Sequence, residues 1–227
     1  MKDTSMAPAM TPVLLLATAV TGVVDAISYL GLGHVFTANM TGNVVFLGFA
    51  FAGAPGLSVQ HSALALLMFG LGALSGGRIS AGADAYAGRW MTRAFLWEMV
   101  FLSGAAAASV GFTRGSEGHG VPVGILIALT AFAMGLRNAV VRKLAVPDLT
   151  TTVLTLTITG LAADSRLAKG ENPRFQRRLA SVLSMLGGAS AGALLVRRSV
   201  ALPLGLCAAA AAGCALASFR IESRRKP

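Results

Sequence analysis

The chain has 227 residues, of which 55% are hydrophobic and only 12% are charged, and its mean hydropathy is +0.70. A soluble domain carries about 25% charged residues because its surface must stay in water. Half that fraction excludes an ordinary water-soluble globular protein. It indicates a single integral membrane domain that covers residues 1–227.

The formal net charge is +10, which raises the question of nucleic-acid binding, since a basic face is the usual footprint of phosphate recognition. Here the lysines and arginines fall between apolar runs rather than along one face. That is the pattern produced by membrane orientation. We therefore expect no nucleic-acid partner, and we expect the basic segments to contact anionic membrane lipid.

Six apolar runs are long enough to cross a bilayer, which requires about 20 residues in a helix. In chain order they are 11–31, 61–79, 94–112, 121–141, 179–196 and 199–219. Two further runs, 44–54 and 149–163, are too short to cross, and polar or turn-forming residues precede each of them. These two short runs leave the topology open.

The short runs either cross the membrane, which gives eight spans, or enter it and turn back, which gives six. Lysine and arginine concentrate on the cytoplasmic side. With eight spans the 19 basic residues divide 11 to 8, whereas with six spans 16 share one side with both termini, against Arg114, Arg197 and Arg198 on the other. The distribution favours an all-α membrane bundle of six full spans with two short segments and cytoplasmic termini. Eight spans are the alternative.

Each half of the six-span arrangement reads span, short segment, span, span, and the sequence carries a faint internal repeat. The segment 22–26 (Gly-Val-Val-Asp-Ala) matches 135–139 (Gly-Leu-Arg-Asn-Ala), and 41–44 falls opposite 150–153. With three full spans per half, the halves run in opposite directions; they cover about 11–112 and 121–219. This predicts an inverted repeat, an architecture that recurs in transporters and channels.

Two adjoining stretches carry a family resemblance. Residues 24–30 (Val-Asp-Ala-Ile-Ser-Tyr-Leu) and 35–43 (Val-Phe-Thr-Ala-Asn-Met-Thr-Gly-Asn) resemble the signature of the YoaK-like bacterial membrane proteins, a domain of unknown function. Segment 135–139 and the threonines that follow resemble it too, so the likeness covers nearly the whole chain. The sequence departs from it at Arg137, where the resemblance implies a glutamine. The resemblance implies a protein of the bacterial plasma membrane and no particular activity.

Asp25 is the first candidate functional residue. It lies about 21 Å along the first span if that helix begins near residue 11. An ionisable side chain inside a membrane helix is costly and is a functional candidate by default. The alternatives are an aspartate that stays hydrated near the outer interface, or one that pairs with Arg137 or with a helix end.

Polar residues lead into both short runs. If the two segments enter from opposite faces, the free N–H groups and positive dipole ends of both short helices meet near the midplane and form a polar site. The alternative is that both motifs are ordinary interfacial caps of short tilted spans. The predicted substrate pathway comprises Asp25, Asn39, Thr41, Gly42, Asn43, Asn138, Asp148, Thr150, Thr151, Thr152 and Thr155.

The favoured function is a small membrane transporter or channel for an unidentified small solute, with its site between the two halves. One alternative is a structural or regulatory subunit of a membrane complex. The GxxxG pairs Gly72/Gly76 and Gly188/Gly192 support it, because they allow close helix approach and also fit a homodimer. A less favoured alternative is an intramembrane hydrolase that uses Ser103 or Ser190, for which no serine–histidine arrangement is visible.

We expect no enzyme activity, no catalytic residue, no cofactor and no metal. The three histidines, His34, His61 and His119, have no partner at ligand spacing. Glu98 lies near the start of the third span, and we expect it to pair with the neighbouring Arg89 or Arg93 rather than to do chemistry.

Overall fold

The computed structural model describes residues 6–81, 87–110, 123–144 and 154–224, and all regular secondary structure within these ranges is helical. The helices are α1 (Met6–Gly31), α2 (Met40–Phe51), α3 (Val59–Ile79), α4 (Ala87–Ala108), α5 (Val123–Leu144), α6 (Leu154–Ala163), α7 (Phe175–Leu195) and α8 (Ala201–Ser223). A short 3-10 turn, Arg166–Ala168, lies between α6 and α7. The predicted all-α bundle is confirmed.

Five of these helices, α1, α3, α5, α7 and α8, are long and apolar enough to cross a membrane by length and composition. The sixth long helix, α4, has 22 residues and would extend about 33 Å, but it carries Arg89, Arg93 and Glu98. Helix α4 begins before the predicted run 94–112, because that run was defined by apolar residues and the first turns of α4 contain Arg89 and Arg93. The six predicted spans therefore correspond to six long helices.

Contacts near the helix ends establish the helix directions. Gly88 at the start of α4 contacts Glu222 at the end of α8, so these two helices are antiparallel. Met10, near the start of α1, shares a buried cluster with Met91 of α4 and Val141 of α5. One end of the bundle therefore holds the beginnings of α1 and α4 and the ends of α5 and α8.

The same end of the bundle collects basic residues, and we call it the basic end. The Lys143 ammonium, near the end of α5, donates to the carbonyl oxygen of Ser80, directly after α3. Arginines and lysines at this end include Arg78, Arg89, Arg93, Arg142, Lys143, Arg220 and Arg224. At the opposite end, which we call the far end, Gly31 of α1 contacts Val196 and Val200 beside the Arg197–Arg198 pair.

Helix α2 begins inside the bundle and leaves it at the far end. After α1 the chain folds back, and the Ala38 amide bonds to Asp25, which lies six residues, or about 9 Å, before the end of α1. Helix α3 then starts at the far end, where His61 contacts Gly33. The 12 residues of α2 extend about 18 Å, less than the roughly 30 Å of a bilayer core.

Helix α6 has the corresponding place at the basic end. Arg178, in the first turns of α7, donates to the Gly160 carbonyl oxygen of α6 and to the Asp164 carboxylate, both at 2.7 Å. Because α5 ends and α7 begins at the basic end, there is no net crossing of the bundle from one of these helices to the other. These directions agree with six spans and two short segments. They disagree with eight spans, which would make α4 and α8 parallel.

Both GxxxG pairs are used inside the chain. A Cβ added at Gly72 or Gly76 of α3 would overlap carbonyl oxygens of α5, and one added at Gly188 of α7 would overlap the Ala19 carbonyl oxygen of α1. These glycines let helix backbones touch. The motifs therefore give no support to a homodimer, which stays a prediction.

The two glycine interfaces use corresponding positions of the predicted repeat. Gly22 of α1 lies against the Met185 carbonyl oxygen of α7, and Gly135 of α5 lies in the same way against the Phe69 carbonyl oxygen of α3. Helix α1 starts at the basic end, whereas α5 starts at the far end. The two glycine contacts therefore occur in helices of opposite direction, as in an inverted repeat.

Candidate functional site

A charged cluster lies at mid-length of the bundle, where α1, α4 and α5 meet. The Arg137 guanidinium of α5 donates to Glu98 Oε1 of α4 at 2.6 Å and to Thr21 Oγ1 of α1 at 2.5 Å. Arg137 and Glu98 are each only 1% exposed. Glu98 lies about 15 Å from either end of α4. We call Thr21, Asp25, Glu98 and Arg137 the central cluster.

The predicted partner of Glu98 is wrong. Arg89 instead forms an ion pair with Glu222 of α8 at 3.1 Å, at the basic end. Glu98 lies nine residues, about 14 Å, beyond Arg89 along α4, too far for a direct contact. Its actual partner, Arg137, is 39 residues away in the chain and reaches Glu98 only because α4 packs on α5.

Asp25 holds the chain reversal between α1 and α2. It lies one turn after Thr21 on the same face of α1 and is 5% exposed. Its Oδ1 accepts the Ala38 N–H at 2.9 Å, and the amides of Thr37 and Asn39 also face the carboxylate. Arg137 is near enough to attract it electrostatically. Asp25 therefore contacts a helix end, one of the alternatives foreseen from the sequence.

Asn43 also stabilises this reversal. Its Oδ1 accepts the Phe36 N–H at 2.9 Å, and its Nδ2 donates to the Phe36 carbonyl oxygen. Gly42 lies directly under the Phe36 ring, since a Cβ there would come within 2.6 Å of it. That ring stacks between Tyr29 and Phe46, with centroid distances of 5.2 and 5.4 Å. Gly42 and Asn43, which belong to the polar segment predicted from the sequence, thus fix the backbone around the start of α2.

The other predicted pathway residues are more scattered. Asn39 is half-buried and precedes α2, but its side chain makes no capping hydrogen bond to that helix. Thr41 is exposed, and so is Thr155, whose carbonyl oxygen accepts from the Thr159 hydroxyl. Asn138 is half-buried on α5, next to Arg137. Asp148, Thr150, Thr151 and Thr152 lie outside the described residues.

Sequence reasoning missed Thr21, Glu98 and Arg137 as site residues. A signal for two of them was present, because Glu98 and Arg137 each interrupt an apolar run with a charge. Several atoms here have no hydrogen-bond partner among the described residues: Asp25 Oδ2, Thr37 Oγ1, Glu98 Oε2 and Arg137 Nε. Buried polar atoms are normally paired, so a group of unpaired ones calls for a functional explanation.

The serines considered for a hydrolase lie elsewhere. Ser103 of α4 and Ser190 of α7 are both exposed, away from the central cluster. Within the described ranges, no group of three or more histidine, cysteine, aspartate or glutamate side chains is placed to hold a metal ion.

Comparison with known proteins gives the family. The family model described as "Protein of unknown function (DUF1275)" matches residues 13–217. The UPF0700 transmembrane protein YoaK of Bacillus subtilis (strain 168) is 38% identical over 154 residues, which are 66% of this chain and 64% of that protein. The match thus spans less than two thirds of the relative's length. No solved structure matches the chain. Because the family model covers nearly the whole helical bundle, the chain belongs to the DUF1275 family.

Proposed function

We propose that this protein is a small membrane transporter or channel for a small solute, whose path runs through the central cluster between the two repeat halves. The Glu98–Arg137 ion pair at mid-length of the bundle carries the proposal. Glu98 belongs to the first half and Arg137 to the second, so the pair bridges the halves. Charged side chains at membrane depth are costly and mark substrate, ion or proton pathways.

The chain reversal before α2 supports the same conclusion. Irregular backbone at membrane depth is tolerated only where protein or water covers it. Here the buried side chains of Leu32, Val35 and Ala38 supply part of that cover. Transporters built from inverted repeats place their sites at such broken helices. The paired glycine interfaces are consistent with that architecture.

The competing functions have less support. A subunit of a membrane complex was favoured by the GxxxG faces, which are instead buried within the chain. A hydrolase would need Ser103 or Ser190 beside a base in a sheltered site, and both serines lie on exposed surface.

Flux through reconstituted protein tests the proposal. Liposomes containing the purified protein would be mixed with a panel of small ions, amino acids and polyols, and swelling would be followed by light scattering. We expect at least one solute to enter faster than into empty liposomes, and Asp25→Asn to lower that rate about tenfold or more, since a hydrogen bond to a charged group contributes about 1.5–3 kcal/mol. The control, Ser103→Ala on the outer face of α4, should retain the rate. No solute above background, or wild-type flux in Asp25→Asn, would refute transport through this site.

We also propose that the protein lies in the bacterial plasma membrane with its basic end and both termini in the cytoplasm, where its lysines and arginines contact anionic lipid. The excess of basic residues at that end supports this orientation. Reporter tags after Gly56 and Gly170, which follow α2 and α6, should report the outside and the cytoplasm respectively. Both tags on one side would contradict the arrangement.

A further inference from the structure

The central cluster contains two carboxylates and, within the described residues, one cation. Asp25 and Glu98 are both buried and share Arg137 as their cationic neighbour. With both acids ionised the cluster carries a net charge of −1, which is expensive at membrane depth. One bound proton would neutralise it.

A proton fits the unpaired atoms better than a metal ion does. Hard cations in proteins take about six or more oxygen ligands. Within the central cluster, the carboxylate oxygens without a hydrogen-bond partner are Asp25 Oδ2 and Glu98 Oε2, because the Ala38 amide and Arg137 bond to the other two. The N–H groups that face Asp25 would also repel a cation placed there.

The two carboxylates differ in what compensates their charge. Asp25 faces three backbone amides, which belong to the main chain. Glu98 depends on the side chain of Arg137. Thr21 of α1 bonds to Arg137, and the buried Cys207 and Cys214 lie on α8, which packs against α4; none of the three supplies a positive charge.

Asp25 is a second carboxylate near Arg137. Its guanidinium bonds to Thr21, and Asp25 lies one helical turn, about 6 Å, further along the same face of α1. The Oδ2 atom of Asp25 is unpaired. A rotamer change of Arg137 toward Asp25 would exchange one carboxylate partner for the other.

Resting on the proposed transport function, the geometry points to Glu98 as a proton-exchanging residue of a proton-coupled transporter, with Arg137 moving between Glu98 and Asp25. One proton from water forms an O–H bond on Glu98, which then no longer holds Arg137 by charge. The guanidinium turns to Asp25, and the cluster charge changes from −1 to zero. Asp25 then shares its charge with Arg137 and holds the Ala38 amide less tightly, so the reversal before α2 opens. Loss of the proton reverses each step.

The test measures the opening of this reversal directly and needs no identified solute. Thr37 is fully buried, and Thr37→Cys is nearly isosteric, so it reports opening by reaction with a membrane-impermeant maleimide in phosphatidylethanolamine–phosphatidylglycerol liposomes. Its rate would be divided by that of Gln60→Cys, an exposed site at the start of α3, which corrects for the pH dependence of thiol chemistry. The native Cys207 and Cys214 are buried, and the parent protein checks that they do not react.

We expect the rate ratio to rise about tenfold between about pH 8 and about pH 5, as a minor open state becomes the major one. Glu98→Gln imitates the protonated acid and should give the high ratio at both pH values. Glu222→Gln, a matched change in an acid paired with Arg89 at the basic end, should keep the pH response. A labelling-rate ratio that does not change with pH, or one that still changes with pH in Glu98→Gln, would overturn the inference.

Infrared difference spectra supply a second test that does not depend on the folding of Glu98→Gln. Lowering the pH should produce the C=O band of a protonated carboxylic acid, and the band should shift in frequency in Glu98→Asp, which keeps both acids of the cluster. A band of unchanged frequency in Glu98→Asp would place the proton on Asp25 and refute the assignment to Glu98. Flux without pH-dependent labelling would refute only this inference, whereas pH-dependent labelling without flux would refute only the transport function.

Discussion

The glycine-packed helix pairs and the central cluster are both buried, yet they are stabilised in opposite ways. In the α1/α7 and α3/α5 pairs, glycines place backbone against backbone and leave no space for a Cβ. In the central cluster, three polar atoms lack hydrogen-bond partners among the described residues, and one arginine is the cation beside two acids. Close packing of this kind permits one arrangement, whereas the cluster permits more than one pairing. The helix pairs are therefore rigid, whereas the cluster can rearrange.

The largest effect should come from removing the cation of the cluster. Arg137→Met leaves Glu98 buried and unpaired, which typically costs about 3–5 kcal/mol of folding free energy. Thermal unfolding of the purified protein in detergent, followed by fluorescence-detected gel filtration, would measure the loss. The double variant Arg137→Met/Glu98→Met removes both charges and should regain most of that stability while losing pH-dependent labelling.

A matched change at the basic end provides the control. Arg89 is half exposed in its pair with Glu222, so Arg89→Met should cost only about 1 kcal/mol or less. If Arg137→Met were as mild as Arg89→Met, Glu98 would not be a buried charge and the contrast between the two regions would fail.

A smaller effect should follow from adding one methyl group to a helix pair. Gly188→Ala places a Cβ against the Ala19 backbone, which cannot move without separating α7 from α1, and should cost about 1–3 kcal/mol. Its neighbour Gly187 has no atom within 4 Å of the same added Cβ, so Gly187→Ala should be neutral or stabilise by up to about 1 kcal/mol. The same unfolding measurement applies. Equal melting temperatures for the two variants would mean that α1 and α7 are not in backbone contact.

Much of the architecture could be predicted from the sequence, because it depends on quantities that add along the chain. Low charge and long apolar runs indicated a helical membrane protein, and the uneven distribution of lysine and arginine favoured six spans. The shortness of runs 44–54 and 149–163 indicated segments that do not cross, and α2 and α6 are correspondingly short. Asp25 stood out because a carboxylate in an apolar helix is costly wherever its partner lies.

The partners of the buried charges were decided by the tertiary structure alone. Glu98 was assigned to arginines of its own helix, since distance along the chain was the one measure of proximity that the sequence offered. Its true partner depends on which face of α4 meets α5, and in membrane helices that are apolar on most faces hydrophobic periodicity does not reveal that face. The glycine contacts set how closely the helices approach and hence which side chains meet. The sequence thus determined which elements exist and where they end, whereas only packing in three dimensions could bring Thr21, Asp25, Glu98 and Arg137 together.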